Sequence, residues 1–353
     1  MAGGGKPPVR RSRHASIVDV AALAGVSAAT VSRSLRGHGN VSPATRQRVL
    51  EAARELSYSA SPHASGLASG RTRAIGVVVP FVTRWYFACA VAGAHDVLAE
   101  AGYDVLLHHI GDAAARDRFF DRMPLARRVD AVLTLSMPLT EEHTLALRAL
   151  EMPLVTLGAR IPGVSCVRID DAAAARTAVH HLLHQGHRDI AMIAGVEDDG
   201  EFGFVSSVAR KQGYRDALAA AGIEPRPEMI VSGAYGVEGG AHAMSELLAG
   251  PNLPTAFVAE YDELAIGALH TLRRASVPVP ERVSVVGIDD HEMAAVLDLT
   301  TVAQPVRELG ATAARLLLDQ LAADEPGPEC DVVVPTKLVV RSSTGLPWRG
   351  SRA

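Results

Sequence analysis

The chain has 353 residues, of which 48% are hydrophobic and 4% aromatic, and its formal net charge is −4. That length allows a small domain followed by one or two larger ones, and the composition is that of a globular protein. No apolar run approaches the roughly 18 residues that cross a bilayer, and no secretory signal follows the basic N-terminus. We therefore expect a cytoplasmic protein without a membrane partner.

Charge is distributed unevenly along the chain. Residues 1–75 contain eleven Lys and Arg against three Asp and Glu, whereas the remainder contains 24 basic and 36 acidic residues. A basic head on an acidic body is expected where one domain meets phosphates and the other does not. Residues 1–15, rich in Gly, Pro and Arg, are predicted to be a disordered basic tail. In residues 16–58 the charges lie between capped apolar stripes, which favours a folded domain.

Residues 16–33 predict two short helices joined by a glycine turn. Ser16 and Asp19 have the spacing of a capping box, Gly25 ends the first helix, and Ser27 caps the second. The apolar stripe of the first helix is predicted to consist of Val20, Leu23 and Ala24. Two short helices of this kind suit a helix-turn-helix unit, whose second helix enters the major groove of DNA. A helical hairpin without DNA binding has the same local pattern.

A third helix is predicted to begin at Pro43, with Ser42 as its N-cap. Its apolar face closes a three-helix core and consists of Val49, Ala52, Ala53 and Leu56. Residues 59–73 are poor in large apolar side chains and are predicted to be a hinge linker. The same segment is compatible with one or two helical turns capped by Ser61.

From residue 74 onward, apolar segments of strand length alternate with helical patterns. The predicted strands are 74–80, 103–108, 130–135, 153–157, 190–194, 255–259 and 283–287, and the predicted helices are 86–101, 172–185, 209–221 and 263–275. Such alternation favours parallel sheets with helices on both faces, and roughly 270 residues exceed one core. We predict a two-lobed α/β body over residues 74–345, with a ligand cleft at the carboxyl ends of the strands.

The motifs of common α/β enzymes are not found in the chain, since no GxGxxG, GxxxxGK[ST] or GxSxG pattern occurs. His180 and His184 are four residues apart but lack the Glu of HExxH, so a solvated helix face is expected rather than a metal site. Cys89, Cys166 and Cys330 are odd in number and widely spaced, which favours reduced structural thiols. We therefore predict a protein that is not an enzyme and has no cofactor or metal.

The order and spacing of many segments resemble the lactose-repressor/galactose-repressor family of bacterial transcription regulators, over residues 17–338. In the head the matching segments are VDVA at 18–21, AGVS at 24–27, TVSR at 30–33, VSPATR at 41–46 and LSY at 56–58. In the body they are VRIDD at 167–171, GHRDI at 186–190, Arg210 with Gly213 and Tyr214, DELAIGA at 262–268, VPERVSVVGIDD at 279–290, and TTV at 300–302 with Gln304 and Pro305.

The resemblance implies a helix-turn-helix head and a body shaped like the periplasmic sugar-binding proteins. It also implies a homodimer that binds a palindromic operator in double-stranded DNA under the control of a small molecule in the cleft. We expect a repressor with a sugar effector. The alternatives are a regulator that responds to a nucleobase and a sugar-binding or transport-type protein with no role at DNA. The identity of the effector, the operator sequence, and the choice between inducer and corepressor stay open.

The DNA-binding residues expected from the second helix and from the resemblance are Ser16, Val18, Ser27, Ala28, Ala29, Thr30, Ser32, Arg33, Arg36, Thr45, Tyr58, His63, Ala64 and Leu67. By the resemblance, Leu67 is the side chain that enters the minor groove and kinks the central base step. The alternative for Leu67 is a tether between linker and body.

By the resemblance, the expected effector-binding residues are Arg210, Tyr261 and Asp289, with an aromatic wall of Trp85, Tyr86 and Phe204. These residue types suit a sugar, because sugar sites combine aromatic rings with paired charged groups. The alternatives are a helix cap for Asp289, a surface salt bridge for Arg210 and a core position for Trp85. Asp262 is predicted to cap the helix at 263. The chain departs from the family pattern in the hinge, where Ala60 and Ser61 replace Pro and Asn. It also departs at RWYF (84–87), where the family has Asn-Pro-Phe-Phe, and at Tyr261, where Asn is usual.

Overall fold

The computed structural model describes residues 15–35, 41–58, 71–137, 139–195, 204–325 and 327–348. The chain divides into two compact units, Met1–Thr72 and Arg73–Ala353, here called the head and the body. Of the predicted tail only Ala15 is described, and of the predicted hinge only residues 71–73.

The described head consists of three helices, α1 (Ile17–Ala24), α2 (Ala28–Leu35) and α3 (Pro43–Glu55). The chain bends by 98° between α1 and α2, as in helix-turn-helix units. The predicted capping box is confirmed, since Asp19 Oδ2 accepts from the Ser16 amide at 2.7 Å and Ser16 Oγ accepts from the Asp19 amide at 3.3 Å. Gly25 ends α1 with a φ of 65°, a conformation that glycine adopts without steric cost.

The core of the head is formed by small and branched side chains from all three helices: Val20, Ala21, Ala24, Val31, Val49, Ala52 and Ala53. The prediction that Leu23 belongs to this core was wrong, because Leu23 is 47% exposed and Ala21 is buried. In an eight-residue helix the buried face is centred between Val20, Ala21 and Ala24, and Leu23 lies well round the helix from that centre.

The body contains strands and helices in alternation. In chain order the strands are β1 (Ala74–Val79), β2 (Asp104–His109), β3 (Ala131–Leu135), β4 (Leu154–Leu157), β5 (Ser165–Arg168), β6 (Ile190–Ala194), β7 (Ile230–Ser232), β8 (Ala256–Ala259), β9 (Ser284–Asp289), β10 (Thr300–Ala303), β11 (Asp331–Val333) and β12 (Lys337–Val339). The helices are α4 (Trp85–Glu100), α5 (Ala113–Arg122), α6 (Glu141–Arg148), α7 (Asp171–His184), α8 (Val205–Ala220), α9 (Gly236–Ala249), α10 (Asp262–Arg274), α11 (Glu292–Val296) and α12 (Val306–Ala322), with a 3₁₀ turn at Pro227–Met229.

These strands form two six-stranded sheets among the described residues, one in each lobe of the body. The first sheet has the order β11-β5-β4-β3-β1-β2 and is parallel throughout; the second has the order β12-β10-β9-β8-β6-β7 and is parallel except for the β10–β12 pair. The chain passes between the lobes after β5, after β10 and after β11. The predicted α/β class with two lobes is therefore confirmed.

Helices cover both faces of each sheet and bury the apolar strands. In the first lobe, α4 and α12 pack on one face, while Phe119 and Leu147 of α5 and α6 pack on the other. In the second lobe, α7 pairs with α8 and α9 pairs with α10. Two glycines bring α4 and α12 into backbone contact, because a Cβ on Gly93 or Gly310 would lie within 2.0 Å of a carbonyl oxygen of the other helix. This close approach fixes α4 against α12.

No single helix in the described part of the chain is long and apolar enough to cross a membrane. The helices α1 and α2 pass such a test only together, as a pair bent by 98°.

Candidate functional site

A cavity of about 90 Å³ lies between the two lobes of the body, at the carboxyl ends of the parallel strands. Both sheets contribute to it, as expected for ligand sites of this fold class. Five of the residues predicted from the sequence line it: Tyr86, Phe204, Arg210, Tyr261 and Asp289. Seven charged, amide or aromatic residues that were not predicted to belong to the site also line it: Arg84, Phe87, Asp171, Tyr235, Glu260, Glu263 and Gln304.

Arg210, on α8, lies at the centre of the polar part of the cavity and is 6% exposed. Its Nε and Nη2 atoms are each 2.8 Å from Asp171 Oδ1, and its Nη1 donates to the main-chain oxygen of Glu260 at 2.6 Å. Burial opposes the charge of the guanidinium, but the carboxylates of Asp171, Asp289 and Glu260 outweigh burial and hold its pKa above the ordinary value. The alternative of a surface salt bridge is therefore wrong.

Asp289 is the last residue of β9, and its side chain faces Arg210 across the cavity. Its Oδ1 accepts from Gln304 Nε2 at 2.5 Å and lies 3.9 Å from Arg210 Nη1. The φ angles of Asp289 and Asp290 are 135° and 61°, in regions that side-chain-bearing residues rarely adopt, so the end of β9 is strained where it meets the cavity. The alternative of a helix cap is wrong, because His291 is the N-cap of α11.

Burial raises the pKa of Asp289 to about 7; the Arg210 charge and the Gln304 hydrogen bond oppose this shift, and the nearby Asp262 adds to it. A carboxyl group that titrates near neutrality both donates and accepts hydrogen bonds in that range. It therefore suits a ligand hydroxyl, which also does both.

Asp262 does not cap the helix at 263, contrary to the prediction from the sequence. It is the first residue of α10, the N-cap is Tyr261, and Asp262 is fully buried. Its Oδ2 accepts from the His291 amide and its Oδ1 accepts from Thr301 Oγ1, both at 2.8 Å. Both carboxylate oxygens of Asp262 accept from residues outside α10, so Asp262 holds the loop after β9 in place and does not cap its own helix. Burial raises the pKa of Asp262 to about 6.

Aromatic rings form the second part of the lining. Phe204 lies 6.5 Å from Phe87 of the first lobe and 5.7 Å, edge to face, from Tyr235 of the second. Tyr86 accepts a hydrogen bond from Ser136 Oγ at 3.4 Å, and burial raises the pKa of its hydroxyl. Trp85, predicted to belong to this wall, does not line the cavity; it is half-buried, with its ring 4.9 Å from that of His291.

Carboxyl groups outnumber guanidinium groups in the described lining. Asp171, Glu260, Glu263 and Asp289 are set against Arg84 and Arg210. This balance disfavours an anionic ligand and favours a neutral polyhydroxy compound, whose hydroxyl groups donate to carboxylates and accept from guanidinium groups.

Asp289→Asn is expected to raise the melting temperature of the body by more at pH 8 than at pH 5. Asp289 has a raised pKa, so the folded body binds its proton more tightly than the unfolded chain does, and ionisation destabilises the fold as pH rises from about 4 to about 7. Asparagine removes this cost. Scanning calorimetry of the parent and of Asp289→Asn at the two pH values measures the difference in melting temperature. The same histidines titrate in both proteins, so their contribution cancels in this difference. A difference in melting temperature that is the same at both pH values, or smaller at pH 8, would contradict the raised pKa of Asp289.

In the head, the predicted DNA-binding residues that are described are all exposed or half-buried. Ala29 and Arg33 of α2 are exposed, as are Ser16, Ser27 and Val18, the last by 64%. Ser27 caps α2, as predicted, by accepting from the Thr30 amide at 3.2 Å. Ala28, Thr30, Ser32, Thr45 and Tyr58 are half-buried. Arg36, His63, Ala64 and Leu67 lie outside the described residues.

The basic side chains of the described head are exposed. Arg33 of α2 and Arg46, Arg48 and Arg54 of α3 all reach solvent. Arg33 Nε donates to the Ala29 carbonyl at 3.3 Å, which aligns its side chain along α2. An exposed helix with small side chains and a terminal arginine can approach the bases and phosphates of a major groove closely.

Histidine and cysteine side chains do not assemble a metal site in the described part of the chain. His180 and His184 are exposed on α7, where His184 Nδ1 lies 2.7 Å from the His180 carbonyl oxygen, as expected for a solvated helix face. Cys89, Cys166 and Cys330 are free thiols.

Comparison with known proteins connects both units to one family. Residues 16–61 match the bacterial regulatory proteins of the lacI family, and residues 179–344 match the periplasmic binding protein-like domain. The HTH-type transcriptional repressor CytR of Escherichia coli K12 is 34% identical over 95% of this chain and 98% of its own.

Two solved structures extend the comparison. A complex of the transcriptional regulator CelR with cellobiose is 34% identical, with a TM-score of 0.69 over 93% of this chain and 99% of that one. The lac repressor dimer bound to operator and the anti-inducer ONPF is 27% identical, with a TM-score of 0.82 over 94% and 100%. These relatives are transcriptional regulators. The chain therefore belongs to the lacI family of bacterial regulatory proteins, and it is a DNA-binding transcriptional regulator controlled by a small-molecule effector.

Proposed function

We propose that this regulator is a repressor whose effector is a neutral sugar bound between the lobes of the body. The observation that carries the proposal is the set of buried Arg210 and Asp289 with the partly buried Asp171, facing an aromatic wall. Paired charged groups recognise vicinal hydroxyls, and aromatic rings cover the C–H face of a sugar ring. The CelR complex with cellobiose supports this choice, since a relative of 34% identity is complexed with a sugar.

Each lining residue has a specific role in this proposal. Arg210 donates to ring or hydroxyl oxygens, and Asp289 and Asp171 accept from hydroxyl groups. Tyr86, Phe204 and Tyr261 enclose the apolar face of the ring. Gln304 fixes the orientation of Asp289, because it donates to Oδ1 at 2.5 Å.

The proposal assigns DNA binding to residues 16–58, a hinge to residues 59–73, and effector binding with dimerisation to residues 74–345. A homodimer presents two heads and therefore reads two half-sites of a palindromic operator. A sugar that binds the two lobes of each subunit changes the affinity of the dimer for the operator.

A ligand panel tests the proposed effector class on the full chain. Neutral monosaccharides and disaccharides, with ribose and cellobiose among them, are compared with purine bases in a thermal shift assay. Saturation at about 100 times Kd stabilises by about 2.7 kcal/mol, which corresponds to a shift on the order of 5 °C. A shift with one sugar that also changes operator affinity supports the proposal. A shift with purine bases alone would favour a nucleobase effector, and no shift with any sugar would remove the sugar assignment.

A further inference from the structure

Arg84 connects the two lobes at the edge of the cavity. It is the N-cap residue of α4 in the first lobe, and its guanidinium reaches Glu263 of α10 in the second. Nε and Nη2 both donate to Glu263 Oε2, at 3.2 and 2.9 Å. The two side chains are 17% and 19% exposed, so this ion pair is mostly shielded from solvent and is not a screened surface contact.

Aromatic rings surround the same guanidinium. Its central carbon lies 4.8 Å from the ring centroid of Tyr235 and 4.7 Å from that of Tyr261, both in the second lobe. Phe81 of the first lobe lies 5.9 Å away. Each of these distances is within the range over which a cation is attracted to the face of an aromatic ring. Burial lowers the pKa of Arg84, but its polar interactions and hydrogen bonds with Tyr261 and Glu263 outweigh burial and hold that pKa above its ordinary value.

The next residue along α4 makes a second contact between the lobes. The ring of Trp85 lies 4.9 Å from that of His291, which precedes α11 in the second lobe. Arg84 and Trp85 therefore both leave the second lobe if the lobes separate. The carboxylate and the two tyrosines would then remain together on the second lobe as an acidic aromatic recess.

We propose that Glu263, Tyr235 and Tyr261 form a cation-binding box on the second lobe, and that Arg84 of the first lobe is its resident ligand. The box recognises a guanidinium or alkylammonium group, and the lobes are held closed by an internal ligand before any effector binds. Arg84 thereby sets how much free energy is required to open the cavity. The inference concerns the protein without effector, so it does not depend on the sugar assignment.

Trp85 provides a built-in probe of lobe separation. The chain has two tryptophans, and the other, Trp348, is 50% exposed, so Trp348→Phe leaves Trp85 as the single tryptophan. In this background Glu263→Gln removes the negative charge of the box. Glu263 lies on the second lobe and Trp85 on the first, so the substitution is on the lobe opposite to the probe. We expect the opening equilibrium to rise about 10- to 100-fold, because two hydrogen bonds between charged groups are weakened. Emission of Trp85 then moves to longer wavelength and acrylamide quenches it more strongly.

Arg84→Ala in the Trp348→Phe background is the decisive variant, because it removes the guanidinium group from the box. Methylguanidinium chloride at low millimolar concentration is expected to bind the box in Arg84→Ala and not in the parent, as measured by titration calorimetry, whereas potassium chloride of equal ionic strength has no effect. Arg226→Gln, which breaks an ion pair to Asp189 whose side chains are 51% and 39% exposed, is the control for loss of an arginine.

Two results would overturn the inference. One is unchanged Trp85 emission and quenching in Glu263→Gln, with circular dichroism showing a folded protein. The other is a lack of methylguanidinium binding to folded Arg84→Ala. If Arg84→Ala does not fold, the emission of Glu263→Gln and of Arg84→Lys decides. Arg84→Lys keeps the positive charge on a single donor nitrogen, so its emission is expected to lie between those of the parent and of Glu263→Gln.

Discussion

Arg210→Ala is expected to abolish the response to the effector and to lower the stability of the body by about 3–5 kcal/mol, as for removal of one partner of a buried ion pair. Arg210 is 6% exposed and is the shared partner of Asp171 and Asp289, whose side chains are 12% and 7% exposed, so its loss leaves two largely shielded carboxyl groups without a cation. Denaturant unfolding measures the stability, and calorimetric titration with the sugar from the panel measures the response. Operator affinity without effector should be largely retained, because the helix-turn-helix residues belong to the head.

Two further variants separate a binding role from a structural one. Arg210→Lys keeps the charge but cannot reach both Asp171 and the Glu260 carbonyl, so the body folds while effector affinity falls at least about tenfold, as for removal of a charged hydrogen bond. Arg226→Ala, in a half-exposed pair with Asp189, is the matched control and should cost at most about 1 kcal/mol. A normal effector response in Arg210→Ala would show that the ligand binds elsewhere.

Operator affinity is expected to fall by about 10³- to 10⁵-fold between 50 and 200 mM salt, the dependence of a protein that contacts on the order of six to ten phosphates. The basis is the excess of eleven basic over three acidic residues in positions 1–75, with Arg33, Arg46 and Arg48 exposed in the structure. Fluorescence anisotropy on a labelled operator over a salt series measures the slope. An affinity that barely changes over this range would contradict the assignment of the head.

Within that series Arg33→Ala shows whether this side chain binds a base or a phosphate. If Arg33 binds a base edge, the variant weakens operator binding by about 1–3 kcal/mol and relaxes the sequence preference at one position, with the salt slope unchanged. If Arg33 binds a phosphate, the variant instead lowers the slope by about one for every operator sequence. Arg226→Ala in the body is the control and should change neither quantity.

Local patterns were sufficient to predict the head and the framework of the body. The Ser16 and Ser42 caps accept from backbone amides only three residues further along the chain, so local sequence is sufficient to predict them. The strand at 190–194 was predicted with the bounds that the structure gives, because a fully buried strand is a continuous apolar run between polar residues. The helices α5, α6, α9, α11 and α12 were not predicted, and in α9 the glycines resemble a loop. Gly240 is needed there because a Cβ would lie 2.0 Å from the Leu264 carbonyl oxygen of α10.

Three lining residues that were not predicted could have been found from the order of strands and helices along the sequence. Asp171, Glu260 and Gln304 each follow a strand of a parallel sheet within three residues, so the rule that ligands bind at carboxyl ends would have found them. The pair Arg84 and Glu263 is different, since the two residues are 179 positions apart and meet only because the lobes face each other. Asp262 was misassigned for a related reason. Its partners Thr301 and His291 lie on other elements, and sequence spacing does not reveal them.

The most direct test of effector-controlled DNA binding is a reciprocal linkage measurement on the full chain. Operator Kd is determined with and without the sugar that stabilises the body, and sugar Kd is determined with and without operator, in one buffer at one salt concentration. Linkage requires the two ratios to be equal, and a coupling of about 1–3 kcal/mol corresponds to a ratio of about 5 to 150. We predict equal ratios in that range for the parent, and a sugar Kd that is at least about tenfold higher in Arg210→Lys. A sugar that binds the cavity but leaves operator Kd unchanged would contradict it.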